Sequence, residues 1–243
     1  MIYSDFYLTS AAGDLTIIDS AYNKNFDFQS GFKTSTVKFS MPTAAAKTLG
    51  VSEGKYIRVT IDDYLAPIPF VLESSNYDYA NVDDVSVTEF TGRSVHALGE
   101  DDVVLPSAWP NPVPSGHAFQ NATPGTMIKT LITRSQDRGK LLDWKHATFS
   151  GNTDSNGKVW PAVVDRTFTN GDSVYAALNS LVEDGLVELD FDGFSLKAYT
   201  PGTLGKTIAQ DKMFLRPGYT LSEGSAETDF SDFATDVFAI GDG

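Results

Sequence analysis

From the N-terminus to about residue 91, apolar and polar side chains alternate with a period of two, the pattern of strands buried on one face. The clearest runs are TSTVKFSM (34–41), KYIRVTI (55–61), IPFVLES (68–74) and DVSVTEF (84–90). Turn residues punctuate them at Gly13, Asn23-Lys24-Asn25, Gly31, Gly54, Asp62-Asp63 and Asp83-Asp84. Only PTAAAKTLG (42–50) reads as a helix, opened by Pro42 and stopped by Gly50. About seven strands and one short helix predict a barrel or sandwich.

Between Leu105 and Gly125 the pattern breaks: five prolines fall there with Trp, Asn, Ser and Gly, which neither a strand nor a helix interior accepts. A domain boundary is expected at this point. TPGTMIKTLITRSQDRG then predicts an amphipathic helix, with Thr123 as cap, Pro124 in the first turn, and Met127, Ile128, Leu131 and Ile132 on one face. Asn156-Gly157 is a hairpin signal. In NGDSVYAALNSLVEDG, Val174, Ala177, Leu178, Leu181 and Val182 follow helical spacing up to Gly185. LVELDFDGFSLKAYTP alternates around Asp192-Gly193, so a two-stranded ribbon with Val187, Leu189 and Phe191 on one face is expected to pack on that helix.

The predicted fold class is α+β, mainly β: a β-barrel domain (1–105) interrupted by a smaller α/β domain (106–203), with the chain returning over 204–243 to the barrel or the start of a second one. After Arg216 there are six acids and no base, and the sequence stops on the strand-like DVFAIGDG, so continuation of the native polypeptide is expected.

Composition narrows the function. The 243 residues suffice to bury roughly 70–75% of the unfolded surface, and 41% apolar, 12% aromatic and 21% charged is a globular profile. With no cysteine, disulfides, thiolate metal sites and a cysteine nucleophile are excluded. Three histidines supply little imidazole for metal chemistry. No secretory signal and no run of about 18 apolar residues is visible, so no stable membrane insertion is expected. A net charge of −14 argues against specific nucleic-acid binding through phosphate neutralisation. An acidic wall past which DNA slides remains compatible with it.

Several stretches carry candidate chemistry. Gly92-Arg93-Ser94-Val95-His96 resembles a nucleophile elbow, with Ser94 as nucleophile and His117 or His146 as base, but the closing glycine of Gly-x-Ser-x-Gly is His96. The plainer reading is a strand-to-helix corner, running on through an acidic turn into a second strand. Asn152, Asp154, Asn156 and Gly157 match the first half of a calcium loop, yet its twelfth position is Val163. Asp190 and Asp192 flank a strand turn, with carboxylates expected toward solvent. Gly202 to Thr207 fails as a phosphate loop because Thr200 stands where glycine is needed and Pro201 breaks the turn. Glu100-Asp101-Asp102 offers paired carboxylates for glycoside chemistry, but reads as a solvated loop. Trp109, Trp144 and Trp160, if exposed, would suit a carbohydrate-binding module. Hence no catalytic, cofactor-binding or metal-ligating residue is assigned.

The order of parts nevertheless resembles a family: a β-rich unit ending in Thr88-Glu89-Phe90-Thr91-Gly92-Arg93-Ser94, a short helix and Asp101 to Pro106, a proline-rich linker, two helices, a ribbon, and a return through Thr235-Asp236-Val237 to Gly241-Asp242-Gly243. It is similar to the tail-hub (baseplate-hub, minor tail) proteins of tailed bacteriophages, particularly long-tailed phages of actinobacteria. The resemblance implies paired β-barrels interrupted by an α/β domain and a homotrimeric ring at the tail tip. It further implies contacts with the distal tail ring, tape measure and tip or fibre proteins, DNA passage through the ring, synthesis in the host cytoplasm and no catalysis. On it, Gly92 lets the strand leave the barrel wall, Ser94 caps the helix through Val95–Leu98, and Asp101-Asp102 turn the chain onward. Phe26, Phe28, Phe32, Tyr77 and Tyr79 are candidates for subunit contacts.

Overall fold

The computed structural model describes residues 4–29, 32–61, 64–65, 68–78, 86–106 and 116–204. The N-terminal half builds β1 (Ser4–Thr9), β2 (Leu15–Ile17), β3 (Tyr22–Asp27), β4 (Thr36–Pro42), α1 (Thr43–Leu49), β5 (Tyr56–Ile61), β6 (Tyr64–Leu65), β7 (Phe70–Asp78) and β8 (Val87–Ser94). These strands form one eight-stranded antiparallel sheet, in the order β2-β1-β5-β7-β8-β4-β3 with β6 beside β5. Alternation drives it: β8 is buried at every second residue along its whole length. Gly50, at φ 71°, supplies the left-handed residue that ends α1.

The expected closed barrel does not form among the described residues. The sheet is open, with β2 and β3 as its ends. It is strongly rolled all the same. Phe6 on β1 and Phe39 on β4 lie four inter-strand steps apart, about 19 Å in a flat sheet, yet their rings meet edge to face at 5.1 Å. Phe6, Val37, Phe39, Met41, Ile57, Val59, Phe70, Leu72 and Phe90 fill the concave side. At the seam Lys24 of β3 donates to the Ser4 carbonyl of β1 at 2.5 Å and stands over the Phe6 ring. Beside it Asn23 is left-handed, at φ 50°, and the β3–β4 register slips between Tyr22 and Asn25.

After β8 come α2 (His96–Glu100), β9 (Gly116–Ala122), α3 (Pro124–Asp137), β10 (Val164–Thr169), α4 (Val174–Glu183), β11 (Glu188–Asp192) and β12 (Ser195–Tyr199). The Thr123 and Ser173 side chains cap α3 and α4 by accepting from the amides of Thr126 and Ala176. Val187, Leu189 and Phe191 pack in one cluster with Leu178 and Leu181 of α4, as the alternation predicts. The same cluster takes in Phe32, Ile68, Val95 and Val104 from the N-terminal half. The strand expected after the acidic turn is reduced to a single bridge, Val103 with Ser173. Residues 4–204 belong to one compact unit; 107–115 and 205–243, which hold most of the proline-rich linker and the whole C-terminal return, lie outside the described residues.

Candidate functional site

Ser94 ends β8 and His96 opens α2, and both are buried. The Ser94 side chain does not cap the helix; Val95 occupies the cap position and makes no side-chain bond. Instead Ser94 Oγ accepts the Ser35 amide at 2.9 Å and shares a hydrogen bond with His96 Nδ1 at 3.0 Å. A hydroxyl fixed by a neighbouring loop amide outcompetes the local cap. The imidazole lies 4.9 Å from the rings of both Phe32 and Phe191 and 6.4 Å from Tyr175. Burial pushes its pKa down to about 4, and Nε2 has no hydrogen-bond partner. The pair mimics a nucleophile and base, but no carboxylate orients the ring and neither group meets solvent. His117 and His146, the other candidate bases, bond to Arg134 and Gln136.

Of the three acids that follow, Asp101 is exposed as expected, but Glu100 and Asp102 are drawn into the fold. Glu100 accepts from Arg93 and from the Thr34 hydroxyl, and Arg93 also bonds Glu73 at 2.7 Å, fastening β7, β8 and α2 together. Asp102 is buried; it accepts the Ser135 hydroxyl and pairs with Arg138 at 3.2 Å. The sequence hides this role because the partners lie more than thirty residues onward. Gly92 sits inside β8, not at an exit: a Cβ there would strike the Val71 carbonyl oxygen, next to the bulge between Leu72 and Ser74.

The calcium-loop residues form a turn that serves a carboxylate. Asp154 is buried and accepts the amides of Asn156 and Lys158 at 2.9 Å and of Thr200 at 3.0 Å. Burial raises its pKa, but these amides more than offset that, and the net shift is downward. Three amide donors are thus aimed at the carboxylate, which holds the turn to Thr200. Among the described residues no group of three or more His, Cys, Asp or Glu is placed to hold a metal ion, and no helix is long and apolar enough to cross a membrane. Asp192 is exposed as expected, whereas Asp190 is half-buried with its pKa raised by burial.

Trp144 and Trp160 are buried, their indole N–H groups donating to the carbonyls of Val95 and Ser150, so neither offers a ring to a sugar. Trp109 lies outside the described residues. Of the aromatic contact candidates, Phe32 is core, stacked on Tyr175 at 5.2 Å. Phe26 is half-buried, Phe28 is exposed, and the Tyr77 side chain and Tyr79 lie outside the described residues. The end strand β2 is also apolar and exposed, its Leu15 and Ile17 being 45% and 48% accessible.

No protein-family model matches the chain, and neither does any curated protein. Solved structures do. The prophage tail protein gp18 from Listeria monocytogenes EGD-e matches with a TM-score of 0.53 at 11% identity, over 88% of this chain and 55% of that one. The two share a fold. Tail proteins from Neisseria meningitidis MC58 (TM-score 0.47, 12% identity, 81% and 50% covered) and from prophage MuSo2 of Shewanella oneidensis (0.44, 12%, 81% and 53%) are also similar. The chain spans about half the length of these solved structures.

Proposed function

We propose that this chain is a structural component of a bacteriophage tail: a non-catalytic hub at the tail tip, assembled as a homotrimer. In this reading the hub joins the tail tube to tip or fibre proteins around the path of the DNA. The observation that carries it is the fold shared with a prophage tail protein across nearly the whole chain. The geometry supports the same direction. The one serine–histidine pair that resembles hydrolytic machinery is sealed in the core, and side chains that looked chemical in sequence are engaged in holding elements together. The excess of acids, −14 overall, suits a wall that DNA passes without sticking.

The test is to locate the protein and weigh it. Antibody labelling of purified virions is expected to decorate the tail tip, and light scattering of the isolated chain, with any native continuation, is expected to give three times the monomer mass. Label absent from tails refutes the tail reading. A monomer at high micromolar concentration refutes the self-assembled ring.

A further inference from the structure

The two ends of the rolled sheet are not equally protected. β3 carries the devices that keep an edge from pairing: a left-handed Asn23, a register slip, and Lys24 drawn across to β1. β2 carries none; it is Leu-Thr-Ile, without charge, proline or bulge. Among the described residues, the ladder also fixes which of its backbone groups face outward. Leu8 faces Thr16, the next pair along is Tyr7 with Ile17, and the one after it, Phe6 with Ile18, is hydrogen-bonded, the Ile18 amide donating to the Phe6 carbonyl at 2.7 Å. Antiparallel pairs alternate, so Leu8 and Thr16 also bond each other, and the amides and carbonyls of Leu15 and Ile17 point away from the sheet.

Each face beside that edge has a receptor for a side chain. On the outer face stand Leu15 and Ile17, the latter opposite Tyr7. On the inner face a cleft of about 350 Å³ opens, lined by Leu8, Thr16, Leu49 and Gly50 with Asp14 and Lys55 at its polar part. Main-chain groups along an edge with side-chain receptors on alternate faces are the equipment for accepting a strand.

We infer that β2 is the docking edge for an extended segment of another protein, with aliphatic residues against Leu15 and Ile17, one side chain in the cleft, and basic residues at its ends. The charge pattern selects that occupant. Exposed Asp14 and Asp19 flank β2, and no base lies between them. A second copy pairing there about a twofold axis would set four carboxylates along one short ladder between molecules of charge −14 each, so it is disfavoured. This inference deepens the assembly reading by naming one contact. It is tested on the isolated chain, so its failure leaves the tail location untouched.

The probe is a random twelve-residue peptide library selected on the 243-residue protein, with Ile17→Pro and Ile17→Lys as counter-targets. Proline at 17 deletes an outward amide while leaving the bonds to β1 intact. Enriched peptides are expected to alternate aliphatic residues between Lys or Arg ends, to slow amide exchange at 15 and 17, and to bind either variant at least tenfold more weakly. The proposal is overturned by peptides that bind the variants equally, by enrichment of acidic ends, or by no enrichment while both variants stay folded by circular dichroism. A dimer that forms at micromolar concentration and is lost in Ile17→Lys overturns it in favour of a second copy.

Discussion

Burial among Phe32, Tyr175 and Phe191 holds the His96 pKa at about 4, against about 6.5 in an unfolded chain. Between those values the unfolded chain binds a proton that the folded one does not, so stability is complete above about pH 6.5 and falls as pH drops toward 4. At about 1.4 kcal/mol per unit this one side chain accounts for roughly 3 kcal/mol of acid lability. His117 and His146, also lowered chiefly by burial, add in the same sense. Urea unfolding at pH 7 and pH 4.5 is expected to show His96→Phe losing about 2–3 kcal/mol less than the wild type between the two. Gly125 gives a second residue-scale expectation. Alanine normally strengthens a helix by up to about 1 kcal/mol, but here a Cβ would collide with the Ser150 carbonyl and the Trp160 indole. Gly125→Ala should therefore destabilise by about 1–3 kcal/mol, read as a lower urea midpoint.

Between elements, the ties are few and specific. Phe32, in the β3–β4 connection, inserts beside Tyr175 of α4 and Phe191 of β11, and its carbonyl accepts the Tyr175 hydroxyl at 2.8 Å. Phe32→Ala is expected to cost about 3–5 kcal/mol in chemical unfolding. Asp102 and Arg138 join the segment after α2 to the end of α3. Removing one partner strands the other, so Arg138→Met should cost about 3–5 kcal/mol, whereas Arg138→Met with Asp102→Leu should recover part of it. The elements themselves were largely legible. Period-two alternation marked β4, β5, β7 and β8, and the Thr123 cap with the Gly50 and Gly185 stops delimited the helices, whereas the Ser173 cap emerges only in the structure. The ties were not, because period reports which face is apolar and says nothing of which distant polar group satisfies a buried one. Asp102 and Asp154 read as loop acids for that reason, and Ser94 read as a cap because Ser35 is fifty-nine residues away.

At the scale of the molecule, sequence order carried the resemblance to tail hubs, and the structure shows a fold shared with a prophage tail protein. Closure of the barrel could not be read from strand count. It depends on whether the two end strands present matching edges, and β3 carries a left-handed Asn23 and a register slip against β4. A trimer is expected to sediment unchanged between about 0.1 and 0.5 M salt if its contacts are apolar, and to dissociate across that range if they are ionic, because ions screen only the latter. The lysine that spans the seam has a mechanical consequence. A joint closed by a ladder is fixed in girth by its rungs, whereas among the described residues the polar contact drawn across this one is the Lys24 side chain, a flexible tether in place of a rung.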